Sequence, residues 1–92
     1  MESAIRYILI LTYGGKPATD VEPDAEKLYD FIGDAKRSCS AFHILAAQRC
    51  VISVSGTVKF TEAHIDYDKY GLTIHDRYGN LIDWYTVPEP KS

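Results

Sequence analysis

The sequence predicts an α+β fold: one mostly antiparallel sheet of five or six strands, with a C-terminal β-meander and a single amphipathic helix packed on one face. Three observations predict it. A long apolar segment lies near the N-terminus, a helical apolar stripe follows it, and residues 63–87 contain two copies of one turn formula. The 92 residues suit one small domain, with residues 88–92 as a mobile tail.

Composition and charge limit the classes of function. The chain is 46% hydrophobic and 25% charged, with a net charge of -3, so it lacks the basic surface expected of a nucleic-acid-binding protein. The apolar run from Tyr7 to Leu11 is too short for a signal-peptide core or a membrane span, which predicts a cytoplasmic protein. In that compartment Cys39 and Cys50 are expected to be reduced. No cofactor motif is present, and no cofactor is expected.

The first strand is predicted over Ala4 to Tyr13. Leu9 and Leu11 lie on one face and Ile8 and Ile10 on the other, a pattern typical of a central strand buried on both sides. A one-sided sheet whose outer face is covered by a second subunit would give the same pattern. Gly14 and Gly15 are expected to end the strand and open a nine-residue loop.

A helix is predicted from about Pro23 to Ser38, because proline suits the first helical position and apolar residues follow at helical spacing. Its opposite side carries four carboxylates spaced by four: Glu22, Glu26, Asp30 and Asp34. Like charges at this spacing cost about 0.2 to 0.5 kcal/mol per pair. This acidic row is interpreted as a surface that contacts a basic partner, and the alternative is an ordinary solvated helix face.

The middle of the chain is less regular. Residues 41–48 are apolar and short enough to be either a strand or a helix, and a strand is favoured. A second strand is expected over Cys50 to Ser55, followed by a turn at Gly56. The apolar positions change parity near Thr61 and Glu62, which predicts a β-bulge there.

The meander begins at Ala63, and its two turns are each marked by an aspartate followed three residues later by a glycine. The first hairpin aligns its apolar residues when Tyr67 lies opposite Leu72, Ile65 opposite Ile74 and His64 opposite His75. A three-residue loop over 77–79 in the second hairpin places Ile74 opposite Ile82 and Leu72 opposite Trp84. Trp84 is therefore predicted in the core.

The other face of the predicted meander carries His64, Asp66, Thr73, His75, Leu81, Asp83 and Tyr85. Leu81 and Tyr85 are interpreted as the interface of a homodimer. His64, Asp66 and His75 are weak candidates for metal ligands, but no HxH or HExxH spacing supports them, so no metal site is expected. No nucleophile or other catalytic motif occurs, and an enzyme is not expected.

These features favour a small acidic cytoplasmic binding protein that occupies a basic surface of a protein partner, with no membrane and no direct nucleic-acid contact. Its size and charge are similar to those of small acidic inhibitors and immunity-type proteins, including those carried by phages or plasmids. One alternative is a ligand- or metal-binding domain, or a small enzyme, that uses the face with His64, Asp66 and His75. Another is a structural subunit of an oligomer.

Overall fold

Two antiparallel sheets and one helix make up the part of the chain that the computed structural model describes, residues 4–88. The elements are β1 (Ala4–Tyr13), β2 (Lys16–Glu22), α1 (Ala25–Ser38), β3 (Phe42–Ile52), β4 (Val58–Glu62), β5 (His64–Asp68), β6 (Gly71–His75) and β7 (Leu81–Thr86). One sheet has the order β2-β1-β3-β4 and the other β5-β6-β7. The α+β class is confirmed, whereas the expectation of one five- or six-stranded sheet is wrong. The predicted tail lies outside the described residues except for Pro88.

β1 occupies an inner position of the four-stranded sheet, as predicted, but the expected burial on both sides is wrong, because Ile10 on its outer side is 46% exposed. Gly14 and Gly15 have φ values of 55° and 84°, which a tight turn requires and which glycine adopts without strain. β2 therefore pairs with β1 immediately after the turn, with Tyr13 opposite Lys16. The predicted nine-residue loop is wrong because these residues form a hairpin. Pro17 is tolerated because β2 is an edge strand.

Helix α1 begins two residues later than predicted. Asp24 is its N-cap, and a carboxylate oxygen of Asp24 accepts a hydrogen bond from the backbone N–H of Lys27 at 2.8 Å. Glu22 is consequently the last residue of β2, so it does not belong to the helical acidic row. The helix ends at Ser38, as predicted. Within residues 4–88, no helix has the length and apolar character needed to cross a bilayer.

Residues 42–52 form one strand, so the preference for strand over helix is confirmed and the two predicted strands are continuous. The turn at Gly56 is also confirmed: its φ is 90°, and its N–H donates to the Ser53 carbonyl at 2.9 Å. The predicted bulge at Thr61 and Glu62 is wrong. The parity changes there because the chain leaves one sheet and enters the other at Ala63, whose N–H donates to the Ala47 carbonyl at 3.0 Å.

The meander has the predicted register in its first hairpin but not throughout its second. The loop over 77–79 is as expected, since the Asp76 N–H donates to the Asn80 carbonyl at 2.9 Å. A bulge then leaves Ile82 without a partner and shifts the register by one residue. Leu72 pairs with Tyr85 rather than with Trp84. The prediction that Trp84 is in the core is therefore wrong.

The core lies between the inner faces of the two sheets and the apolar side of α1. Its fully buried side chains come from all three: Tyr7, Leu9 and Leu11 from β1, Leu28 and Ile32 from α1, and Ile74 from β6. The helix also contacts the meander through Tyr29, whose ring stacks on that of Tyr67 with 4.8 Å between centroids. One helix thus contributes to the covering of both inner faces.

A hydrogen bond from the Tyr7 hydroxyl to the Asp83 carboxylate joins the two sheets. Burial of the ring, followed by this contact with a negative group, raises the pKa of Tyr7 far above its usual value. Tyr7 therefore remains a neutral donor throughout the physiological range. The bulge at Ile82 makes the bond feasible, because it turns Asp83 toward the same face as Ile74.

Tyr7→Phe is expected to lower the free energy of unfolding by about 1 to 3 kcal/mol, because the half-buried Asp83 carboxylate loses a donor. Urea denaturation of the full chain measures the change. Tyr78→Phe is the matched control, because the Tyr78 ring is exposed at a turn, and it is expected to leave stability unaltered. Equal stability of Tyr7→Phe and the wild type would show that this bond does not hold the sheets together.

Candidate functional site on the meander

An open groove of about 670 Å³ runs along the outer face of the meander. The strand register defines it: Asp66, Thr73 and Trp84 form one row across β5, β6 and β7, and Asp68, Gly71 and Thr86 form the next. Strands lie about 4.8 Å apart, so the side chains of β5 and β7 are roughly 10 Å from each other across the groove. This is wide enough to accept one extended side chain.

The floor of the groove is low because β6 contributes small residues there. Gly71 has a φ of 153°, and a Cβ placed on it would lie 2.1 Å from the Tyr85 carbonyl oxygen. No residue with a side chain fits this backbone position without a shift of β7. Thr73 is the neighbouring floor residue and is partly exposed. The floor therefore leaves space between the two walls.

One wall is acidic. The Oδ1 atom of Asp68 accepts hydrogen bonds from the backbone N–H groups of Tyr70 at 2.7 Å and Gly71 at 3.1 Å, which fixes the orientation of the carboxylate. The Asp66 carboxylate lies further along the same strand, 3.7 Å from the Nδ1 atom of His75. Both acids are exposed. They form a short negative edge along β5.

The opposite wall is apolar. Trp84 is 62% exposed, and Leu81 precedes it on the same face of β7. At the end of the groove, the Tyr70 ring is also exposed, and the Lys69 ammonium lies 5.1 Å from its centroid. Sequence reasoning missed Trp84 as a surface residue because regular alternation from the second turn places it in the core. The adjacent apolar pair Leu81 and Ile82 is the signal that a bulge interrupts this alternation.

Carboxylates facing an exposed indole across a narrow floor are suited to a basic side chain. An ammonium or guanidinium group pairs with the carboxylates, while its aliphatic stem or flat face contacts the ring. Arginine fits best, since its guanidinium can pair with an acid and stack on an aromatic ring at once. The groove thus has the chemistry of a cation-recognition site.

Three of the four predicted partner-binding acids share the exposed side of α1: Glu26, Asp30 and Asp34. Asp34 pairs with Arg37 on the next turn. Helix α1 contacts β7 through the rings of Tyr29 and Tyr85. Burial, followed by the nearby charges of Glu26 and Asp30, raises the pKa of Tyr85. Tyr85 is on the inner face of β7, so this acidic helix surface and the groove lie on opposite sides of the same edge strand.

Leu81 and Tyr85, the predicted dimer interface, are placed on opposite faces of the meander by the bulge. Leu81 lines the groove, whereas the Tyr85 ring packs against Tyr29 at a centroid distance of 5.4 Å. The two side chains therefore do not share one surface.

The predicted weak metal candidates lie on the outer face of the meander, where the first half of β5 pairs with the end of β6. His64 pairs with His75 across the strands, as predicted, but the Nε2 atom of His64 hydrogen-bonds to Glu62 at 2.9 Å. Across residues 4–88, no three His, Cys, Asp or Glu side chains are arranged to hold a metal ion. The interpretation of this face as a metal site has no geometric support there.

A carboxyl pair on the inner face of β2 was also missed. Asp20 and Glu22 lie two residues apart on one side of the strand, and Asp20 has a buried oxygen without a hydrogen-bond donor. Burial, followed by the hydrogen bond to Asp20 and the charges of Asp20 and Asp24, raises the pKa of Glu22 to about 7. A proton held by Glu22 supplies a donor for the carboxylate of Asp20.

In comparisons with known proteins, no family model, no curated protein and no solved structure matches this chain.

The carboxyl pair predicts a pH dependence of stability. The pKa of Glu22 is about 7 in the folded chain against an ordinary 4.5, so the folded state binds the proton more tightly. This contribution to stability is fully present below about pH 4.5 and is lost as the pH rises through about 7. Glu22→Gln should therefore become more stable relative to the wild type between about pH 5 and about pH 8.

Urea denaturation at several pH values across this range measures the difference. Glu26→Gln, an exposed substitution on the helix, is the matched control and should show a constant difference from the wild type. If the difference in free energy of unfolding between Glu22→Gln and the wild type is also independent of pH, Glu22 does not hold a proton beside Asp20 in the folded chain.

Proposed function

We propose that this chain is a small acidic binding protein that acts by occupying a basic surface of a partner protein. The groove carries the proposal, because it combines a fixed carboxylate at Asp68 and an exposed one at Asp66, beside His75, with the exposed ring of Trp84. Such a surface binds a basic side chain and has no need of a catalytic group. Function by occupation would be that of an inhibitor or an immunity-type protein.

The proposed contact centres on β7. Within residues 4–88 this strand pairs only with β6, so β7 is an edge strand of the meander. An arginine side chain of the partner would lie on Trp84 and reach toward the acids of β5, and further basic residues would meet Glu26 and Asp30 across the edge of β7. Cation–π contact contributes about 0.5 to 1 kcal/mol at an exposed site. The affinity would therefore come from several such contacts, and the net charge of -3 would steer a basic partner toward the chain.

Trp84 is the only tryptophan of the chain, so its fluorescence reports directly on the groove. Titration with a short oligo-arginine peptide should give a saturable change in emission that weakens with added salt. Asp66→Asn/Asp68→Asn should weaken binding by about tenfold or more, because it removes the two charges that would pair with the guanidinium groups. Asparagine at position 68 can still accept the turn hydrogen bonds, so the fold is preserved.

The matched control is Glu26→Gln/Asp30→Asn, which removes the same amount of charge from the helix. It should retain most of the affinity for the short peptide. If both double variants bind the peptide equally weakly, binding depends only on the net charge of the chain and not on the groove. If the fluorescence of the wild type shows no saturable change, the groove does not bind the peptide.

Capture from a lysate tests the wider contact with a whole partner. The wild-type chain should retain a basic protein at low and moderate salt, and Asp30→Lys should reduce that capture severalfold, because it places a cation beside β7. Glu62→Lys makes the same charge change on the four-stranded sheet and should capture as the wild type does. If Asp30→Lys and Glu62→Lys behave alike, the helix acids are only a solvated face.

A further inference from the structure

The outer face of the four-stranded sheet is largely apolar, although Thr19 and Gln48 also lie on it, and most of it is open to solvent in the described part of the chain, residues 4–88. The register brings onto one side of that sheet the residues that we call the apolar outer face: Ile8, Ile10, Val21, Ala46, Ile52, Val58 and Phe60. Helix α1 and the meander pack on the opposite side. Phe60 is 56% exposed and Val21 is 55% exposed, and most of the other members are also open to solvent.

This pattern is unusual for a sheet that faces water. An antiparallel sheet with one solvated side normally alternates apolar and polar residues along each strand. In β1, however, Ile8 and Ile10 face outward between the inward-facing Tyr7, Leu9 and Leu11. Contiguous apolar patches of several hundred Å² on a protein surface mark interaction sites. The apolar outer face therefore has the character of an interaction surface.

The charges on this face favour a second copy of the chain as the occupant. Among the strand residues on that side, Arg6 and Glu62 are the charged ones, and they have opposite signs. Two such faces can therefore contact each other without net electrostatic repulsion. In a dimer with two-fold symmetry, each copy contributes this same face to the interface. By contrast, two acidic helix surfaces would repel each other. A nucleic acid or an acidic membrane finds no basic patch here.

The size of the face is adequate for a dimer. Four strands at about 4.8 Å spacing and six residues at about 3.3 Å give a flat footprint of roughly 20 by 20 Å per copy. Protruding side chains increase the accessible area, so two copies would bury on the order of 1,000 Å² in total, near the lower end for specific association.

We propose that two copies of this chain form a homodimer in which their four-stranded sheets pack face to face through the apolar outer face. The sheets would lie about 10 Å apart, as in a β-sandwich. Leu81 and Tyr85 take no part in this interface, and the groove on each meander remains open. The inference does not depend on the proposed binding of a basic partner, because it uses a different surface.

Sedimentation of the purified full chain over a wide concentration range tests the homodimer. The wild type should sediment as a reversible dimer. Phe60→Lys should raise the dissociation constant by at least about tenfold, because it places a charge in the apolar contact. Val21→Lys, on the opposite edge of the face, should do the same. Both positions are more than half exposed in one chain, so circular dichroism should remain that of the folded wild type.

Leu81→Lys is the matched control, because Leu81 is 52% exposed on the outer face of the other sheet. It should leave the dissociation constant unaltered. A wild type that is monomeric throughout, or that assembles into any species other than a dimer, would overturn the inference. So would folded Phe60→Lys and Val21→Lys chains that dimerise as the wild type does, or a Leu81→Lys chain that dissociates as they do.

Discussion

Helix α1 packs against both sheets, and the rest of the architecture depends on this constraint. Two sheets have four faces, and a single helix between them contributes to only the two inner ones. Leu28 and Ile32 fill the core between the sheets, while Tyr29 turns toward the meander and stacks on Tyr67. No helix in residues 4–88 covers either outer face. The groove and the apolar outer face are the two surfaces left over, and they differ in what they expose.

The contrast between these surfaces comes from the residues that alternate with the core positions. On the meander the outward residues are mainly acidic, small or hydroxylated, with Trp84 and Leu81 as apolar exceptions, so that face can remain in water and bind a polar partner. On the four-stranded sheet the outward residues are mostly aliphatic or aromatic, and the polar exceptions include Arg6, Gln48 and Glu62. An isolated chain would keep that surface hydrated at a cost of about 25 cal/mol for each Å² of apolar area. The two faces therefore differ in how well they tolerate contact with water.

Local patterns in the sequence predicted most of the elements correctly. Helix α1, the inner position of β1, the first meander hairpin and both turn loops follow from periodicity, glycine placement and aspartate turns. Glu22 was assigned to the helix because proline usually begins one, but Asp24 is the stronger cap. β2 was missed because Pro17 and the acids of that segment resemble a loop, and its pairing depends on a neighbour rather than on its own composition.

The candidate site was predicted less well, and the reason is a single residue. Ile82 is unpaired. The adjacent apolar pair Leu81 and Ile82 indicates an irregularity, but it does not determine whether the extra residue lies in the loop or in a bulge of the strand. The bulge is stabilised from a distance, by Tyr7 bonding to Asp83 and by Tyr29 packing on Tyr85. These contacts decide that Trp84 faces outward. The two-sided apolar character of β1, by contrast, follows directly from the sequence, and it is the feature from which the proposed homodimer is inferred.

The order of the strands also has a consequence for how the chain folds. β5, β6 and β7 are joined by short turns, so each meander pairing closes a small loop. The pairing of β1 with β3 instead closes a long loop that contains β2 and α1, and closing a longer loop costs more conformational entropy. Until that pairing forms, β1 is a ten-residue strand, apolar on both sides, without its central neighbour. During folding, the chain is therefore expected to be most prone to aggregation before β1 pairs with residues 42–52.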